Sequence, residues 1–323
     1  MTPEEGRPRP SDSIAPQTGR SVARSEPKPA VAHLIDAPVY VFRAWVTLPA
    51  MPAPDGTPTG AAYGYVNTLL RFLREREPTH VAACFDHAIT SFRNKLFPAY
   101  KQSRGTELPP DLAPQFAFCI EASRALGVAA FEMPDYEADD VIATLAERAA
   151  KAGLASEIVS SDKDLTQLVR EDGSARFHDL ARETTLDADG VRAKFGVAPA
   201  QIPDYLALLG DKVDDLPGVP GFGAKTAAAV LAAFGKLEAI PEDSAAWSGL
   251  PLRGAEKLAA SWRTHRAQAL RIRELASVVR DVPGFSAQPY DTAYRGADRA
   301  AFAALCTKLG WGRIQDRVPK WAD

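Results

Sequence analysis

From residue 31 onward, two kinds of hydrophobic pattern alternate along the chain. The first is a short apolar run, seen in VAHLID (31–36), THVAACFD (79–86), GVAAFEM (127–133) and SEIVSSD (156–162). Runs of this length predict buried strands. The second kind spaces its apolar residues three and four apart, which predicts helices over 60–76, 113–126 and 138–153. The stretch after residue 36 reads as loop, and 87–109 as mixed. Short strands separated by helices imply an α/β fold with a mostly parallel sheet and right-handed crossovers. Past about residue 200 the pattern is helical only, from IPDYLALLG to SWRTHRAQALRIRELASVV (261–279). The expected organisation is an α/β layer over 31–199 and a helical lobe over 200–323. Residues 1–30, rich in Pro, Ser and Arg, read as a disordered extension. Glu4, Glu5, Asp12 and Glu26 within it argue against a transit peptide.

Composition narrows the function classes. No run approaches the ~18 apolar residues of a membrane span, and no signal peptide is visible. Cys84, Cys119 and Cys306 lie far apart without a CxxC, which points to a reducing cytoplasm and away from structural zinc. The net charge of −3 gives no bulk attraction to a polyanion. A nucleic-acid partner would need a local basic surface, or cations that reverse the sign of an acidic site.

Such an acidic site is written into the strand ends. Asp36, Asp86 and Asp162 close three of the four predicted strands. In a parallel sheet those ends share one edge, where ligands bind. YEADD then opens the next helix with Glu137, Asp139 and Asp140. First-turn acids suit a helix dipole, but three beside strand-end aspartates exceed that need. Asp164, Asp211 and Asp214 complete the set, the last two pointing the same way if their segment is helical. Carboxylates so crowded call for hard divalent cations, and an all-oxygen donor set favours Mg²⁺ or Mn²⁺ over zinc.

Two basic elements accompany the acids. GDKVDDLPGVPGFGAKT (210–226) departs from a Walker loop because Ala224 stands between Gly223 and Lys225. It reads instead as helix, glycine turn and helix. Gly221 and Gly223 would let a nucleic-acid backbone approach, and the second helix would offer its free amides. An ordinary αα-corner is the alternative. SFRNKLFPAYKQSR (91–104) interleaves Arg93, Lys95, Lys101 and Arg104 with Phe92, Phe97 and Tyr100, as a single-strand channel would. Its alternative is a solvated helix with the aromatics in the core.

Taken together, VAHLIDAPVYVFRAW, CFDHAITSFRNKLFPAYKQSR, YEADDVIATLA, SSDKDLTQLV and GDKVDDLPGVPGFGAKTA resemble the bacterial and phage 5′→3′ exonucleases, especially the 5′-nuclease domain of DNA polymerase I. The resemblance spans about 31–280. It implies a PIN/5′-nuclease-like sheet and a helix-hairpin-helix lobe, with two-metal phosphodiester hydrolysis on DNA 5′ ends and flaps. One ion would sit on Asp36, Asp86, Glu137, Asp139 and Asp140, the other on Asp162, Asp164, Asp211 and Asp214. Lys101 and Arg104, in a helical arch over about 88–110, would contact the scissile phosphate. Arg43, Arg93, Tyr100, Gly221, Gly223 and Lys225 would bind DNA, with K⁺ at the hairpin. A cytoplasmic monomer without an attached polymerase is expected. The chain departs from the family pattern at Ala37-Pro38, where Gly-Ser is usual, and at Asp215, where Asn is usual. Two other readings stay open, a non-catalytic DNA-binding protein and a PIN-type ribonuclease or phosphatase.

Overall fold

The computed structural model describes residues 30–322, so the expected N-terminal extension lies outside it except for its last residue. Six strands form one sheet in the order β3-β2-β1-β4-β5-β6. They are β1 (Val31–Asp36), β2 (His80–Asp86), β3 (Ala129–Met133), β4 (Ala155–Val159), β5 (Ala175–Asp179) and β6 (Thr184–Leu186). All neighbours run parallel except β5 and β6. The four strands expected from apolar runs are present. β5 and β6 were not anticipated, since ARFHD and TTL carry too few consecutive apolar residues to stand out. Asp36 pairs in register with Cys84, and Asp86 with Met133, so the carboxyl ends of the central strands share one edge.

Two differences shape that edge. The stretch after β1 is a helix rather than a loop. Helix α1 (Ala37–Thr47) starts directly behind Asp36, with Pro38 in its first turn, where a missing N–H costs nothing. Ala37 and Pro38 are both buried there, so this departure from Gly-Ser seeds the helix. Strand β4, in turn, stops at Val159 instead of reaching Asp162. Ser160 still donates its amide to the His178 carbonyl at 3.0 Å, and its hydroxyl then accepts the Asp162 amide at 2.9 Å as the chain turns away from the sheet.

Helices cover both faces. On one side α1, α2 (Gly60–Arg76) and α4 (Ala113–Ala125) pack around Tyr65, Leu69, Phe85 and Leu126. Between β2 and α4 the chain forms only the five-residue α3 (Phe92–Leu96) and a 3-10 turn (Gln102–Arg104), not a long arch. On the other side α5 (Ala138–Lys151) shares a continuous core with α7 (Ile202–Leu209), α8 (Ala224–Phe234) and α9 (Ala255–Ala276). The short α6 (Ala188–Phe195) links the sheet to this lobe.

The lobe ends sooner than expected. Beyond Ala276 the chain returns to the α/β layer, where the Arg148 guanidinium donates to the Ala287 and Phe285 carbonyls and the Tyr294 amide donates to Thr79. Helix α10 (Arg299–Leu309) then buries Phe302, Leu305 and Leu309 in the core of α1, α2 and α4. Assigning 200–323 wholly to a helical lobe therefore needs correcting. An amphipathic pattern shows that a face is buried, not what buries it.

Candidate active site

The carboxyl edge of the sheet gathers the acids by simple geometry. Asp36 and Asp86 end β1 and β2, Glu137 precedes α5, and Asp139 lies in its first turn. The Asp86 carboxylate accepts the Ala138 amide at 2.8 Å, which ties the start of α5 to the end of β2. Asp162 caps the turn after β4 by accepting the Asp164 amide at 2.9 Å. Asp211 and Asp214 come from a tight turn rather than a helix, since Asp211 and Leu216 exchange backbone hydrogen bonds across it. They consequently point to different partners. Gly210 and Gly218 allow this turn: a Cβ at Gly218 would lie 2.4 Å from the Leu209 carbonyl oxygen, and Gly210 has φ +80°.

Part of the cluster is neutralised by protein cations. Lys101, held in a left-handed conformation (φ +53°), places Nζ 2.6 Å from Glu137 and 3.8 Å from Asp214. Arg104 contacts Asp214 at 2.5 Å. Burial alone would raise the Glu137 carboxyl, yet Lys101 and then Arg93 hold it down at about 2. The Tyr100 hydroxyl lies 3.2 Å from Glu137 and 3.3 Å from Asp214, and its ring is buried. Tyr100 is thus a core ring, which corrects the expectation that it stacks on DNA.

Asp140 and Arg93 are also placed differently from expectation. Arg93 is 2% exposed and grips Asp140 through two hydrogen bonds of 2.8 Å. It also donates to the Leu275 and Ser277 carbonyls, while Asp140 accepts the Val279 and Glu137 amides. This pair locks the insertion after β2 to α5 and to the end of α9. Arg93 has no free edge for DNA, and Asp140 offers no free oxygen toward the cluster. Asp215 differs too: its carboxylate accepts the Ser103 amide at 2.7 Å, so its charge caps the 3-10 turn instead of joining the acids.

The other half of the cluster is left uncompensated. Asp36 is buried, with Ser160 donating at 2.5 Å, and its carboxyl is pushed up to about 7 by burial, then by Asp162 and Asp86. Asp139 rises well above the carboxylate range through burial and the charges of Asp36 and Asp162. Asp86 is raised by burial and by Glu137. Asp164 is pushed up to about 8, and its buried Oδ1 has no hydrogen-bond partner. Lys163 is the cation on this side; it bonds to Asp211 and stands 3.4 Å from that same Oδ1 of Asp164, an ion-pair distance without a hydrogen bond. Among the described residues no three such groups are already arranged to hold an ion. The chemistry nevertheless suits divalent cations, because desolvated, mutually repelling oxygens, one of them lacking a hydrogen bond, are what a hard cation relieves.

Gly223 stands at the N-terminus of α8 in open space, where a Cβ would meet nothing within 4 Å. Lys225 and Gly221 are exposed next to it, and Arg43 is exposed on α1. Sequence reading missed the supporting shell of Ser91, which donates to Glu137 at 2.7 Å, and of Ser160 and Lys163. Ser160 and Lys163 lie within two residues of Asp162 in the sequence, whereas nothing beside Ser91 marked it.

Family models match along this same architecture. The model for the 5′-3′ exonuclease N-terminal resolvase-like domain matches residues 31–196, and that for the 5′-3′ exonuclease C-terminal SAM fold matches 197–300. The chain belongs to the 5′-3′ exonuclease family. This exonuclease-family chain is 38% identical over 290 residues to DNA polymerase I of Bacillus caldotenax, covering 88% of this chain and 32% of that protein. It is 40% identical over 257 residues to DNA polymerase I of Pseudomonas aeruginosa, covering 77% and 27%. It thus spans about a third of the length of the curated relatives it matches. Among solved structures, T5 5′-exonuclease with bound zinc aligns with TM-score 0.62 at 19% identity, covering 77% of this chain and 90% of the other. The catalytic core of Rad2 in complex with DNA substrate aligns at 0.59 and 15%, covering 89% and 90%. Both likenesses speak to the fold.

Proposed function

We propose that this chain is a divalent-metal-dependent 5′→3′ exonuclease and 5′-flap endonuclease that hydrolyses DNA phosphodiesters to leave 5′-phosphates. One observation carries the reading: a set of desolvated carboxylates without sufficient protein cations borders a second set already paired with Lys101 and Arg104. Asp36, Asp86, Asp139, Asp162 and Asp164 would hold the ions, with Glu137, Asp211 and Asp214 at their margin. Bound there, Mg²⁺ or Mn²⁺ supplies an activated water and charge stabilisation for in-line displacement.

The chain's own residues do the rest. A scissile phosphate entering the cluster competes with Glu137 and Asp214 for Lys101 and Arg104, which are the nearest cations. Exchange of those partners carries both side chains from a carboxylate to the phosphoryl oxygens, where negative charge grows. The Arg93–Asp140 pair holds the insertion in place while they move. The exposed amides before α8, with Lys225, suit the backbone of the downstream duplex, and K⁺ is a fitting bridge there. We assign the action to a monomer, which sedimentation would test.

The decisive experiment presents a 5′-flap DNA, its blunt duplex and its RNA analogue, each with Mg²⁺, Mn²⁺ or chelator. Metal-dependent cleavage of the flap DNA is expected. Binding without cleavage would favour a DNA-binding protein, and preferred cleavage of RNA a PIN-type ribonuclease.

A further inference from the structure

The insertion that carries Lys101 and Arg104 is joined to the turn at 210–218 by two successive hydrogen bonds. The Lys101 amide donates to the Asp214 carbonyl at 3.0 Å, and the Ser103 amide donates to the Asp215 carboxylate at 2.7 Å. The first is a backbone contact that most residue types could make. The second depends on one side chain.

That side chain completes the turn it reaches. The 3-10 turn over Gln102–Arg104 starts at Lys101, whose own side chain caps nothing. The Gln102 and Arg104 amides bond locally, to the Ala99 and Lys101 carbonyls at 3.2 and 3.0 Å. The Ser103 amide takes Asp215 instead, so the cap of this turn comes from a segment more than a hundred residues away. Lys101 gains from such support, because its backbone is left-handed (φ +53°), a strained state for a long side chain. In that conformation its Nζ reaches Glu137 at 2.6 Å. Arg93 fixes the start of the insertion through Asp140, and Asp215 fixes its end.

Asp215 suits the task in two ways. Its own φ is +55°, in the left-handed region that aspartate and asparagine tolerate better than other side chains do. Both of these residue types also carry an acceptor oxygen on a short stem. Glycine would supply the φ without the acceptor, and threonine the acceptor at the cost of strain. Aspartate in place of the usual asparagine therefore keeps both requirements and adds a charge, which strengthens the bond to the amide.

We propose that Asp215 is a positioning residue for cleavage: by capping the Gln102–Arg104 turn it holds Lys101 and Arg104 within reach of a scissile phosphate. This rests on the DNA-cleaving function proposed above. Both side chains must release Glu137 and Asp214 when DNA enters, and Asp215 keeps their backbone in place during the exchange. It acts through them and not on the phosphate.

The test compares Asp215→Gly, which keeps the backbone free and removes the acceptor, with Asp215→Asn, which keeps an acceptor and removes the charge. Thermal melts establish folding. Single-turnover cleavage of a 5′-flap DNA is measured in Mg²⁺ at saturation, and affinity for the same DNA in Ca²⁺. Asp215→Gly should lose about five- to tenfold in rate, and Asp215→Asn should restore most of it. Affinity should move the other way. Either variant removes a negative charge beside a polyanion, so both should bind at least as tightly as wild type. A merely structural residue would lower the melt of Asp215→Gly and leave its saturated rate alone. Amide exchange in the DNA-free protein gives a readout independent of cleavage: Ser103 should exchange faster in Asp215→Gly and at the wild-type rate in Asp215→Asn. A wild-type rate or unchanged Ser103 exchange in Asp215→Gly would overturn the proposal. So would an equal loss of rate in both variants, which would assign the effect to charge alone. The function itself fails separately: a wild type that cleaves no DNA, yet whose Ser103 amide depends on Asp215, would remove the catalytic reading and leave the cap standing.

Discussion

Glu137 and Asp36 are carboxylates in the same cluster, and their environments push them in opposite directions. Lys101 and Arg93 beside Glu137 hold it at about 2, while burial beside Asp162 and Asp86 raises Asp36 to about 7. The difference separates two tasks. On the side of the insertion the chain supplies its own cations and gains a rigid, prefolded wall. On the strand-end side it supplies too few, and leaves a demand for charge that a proton or an outside cation meets.

That comparison can be broken at its sharpest point with neighbouring residues of α5. Asp139→Asn removes an uncompensated charge, so single-turnover cleavage should fall by about a thousandfold or more while the chelated protein melts no lower than wild type. A variant cleaving within a few-fold of wild type would remove Asp139 from the metal side. Arg93→Ala should behave in the opposite manner. It strands the fully buried Asp140 and should destabilise the fold by about 3–5 kcal/mol, read by denaturant unfolding. Wild-type stability would mean that the pair does not lock the insertion. Lys101→Ala lies between them. The expectation is a rate loss of roughly ten- to a thousandfold at saturating DNA, with little change in affinity in Ca²⁺. Equal loss of affinity and an intact saturated rate would reduce Lys101 to electrostatic attraction.

The two halves also differ in the sign of their pH dependence. Asp36 and Asp164 have folded-state pKa values of about 7 and about 8 against 3.8. The unfolded chain loses those protons first, so stability in chelator should decline as pH rises from about 4 to about 8. Glu137, depressed from 4.5 to about 2, contributes stability above its ordinary value that is lost as pH falls toward 2. Mg²⁺ competes with protons on the strand-end side alone, so its stabilisation should grow with pH across that same window. Calorimetric melts at pH 5, 6.5 and 8, with and without Mg²⁺, measure this. A metal effect independent of pH would contradict the division. The smallest expected effect is at Gly223, where a Cβ fits freely. Gly223→Ala should leave the melt unchanged and weaken binding of long duplex by a few-fold; loss of stability instead would make it a packing residue.

Much of this was legible in the chain. The four strands expected from apolar runs are present, and the helices expected over 60–76, 113–126, 138–153 and 261–279 correspond to elements observed at Gly60–Arg76, Ala113–Ala125, Ala138–Lys151 and Ala255–Ala276. Asp36 and Asp86 do end neighbouring strands, whereas Asp162 lies just past β4. What the pattern could not show was direction at the level of single neighbours. Asp139 and Asp140 are adjacent, yet one turns to the cluster and the other to Arg93 and the Val279 amide, because successive helical residues point about 100° apart. Tyr100 and Arg93 looked like a nucleic-acid surface because interleaved rings and cations have the same composition whether they face water or the core. The turn at 210–218 hides its geometry in Gly210 and Gly218, whose lack of a side chain leaves no pattern to read.

The return of the chain after α9 has a topological consequence. Residues 281–322 pack back on α4 and on the start of β2, so the helical lobe is an insertion fastened to the α/β layer at both of its ends. A lobe tethered once could peel away; one tethered twice, and sharing a core with α5, is held against the layer at both of its ends. Cleaving the exposed stretch near Gly249–Arg253 should therefore leave two fragments that stay associated and co-migrate until denatured.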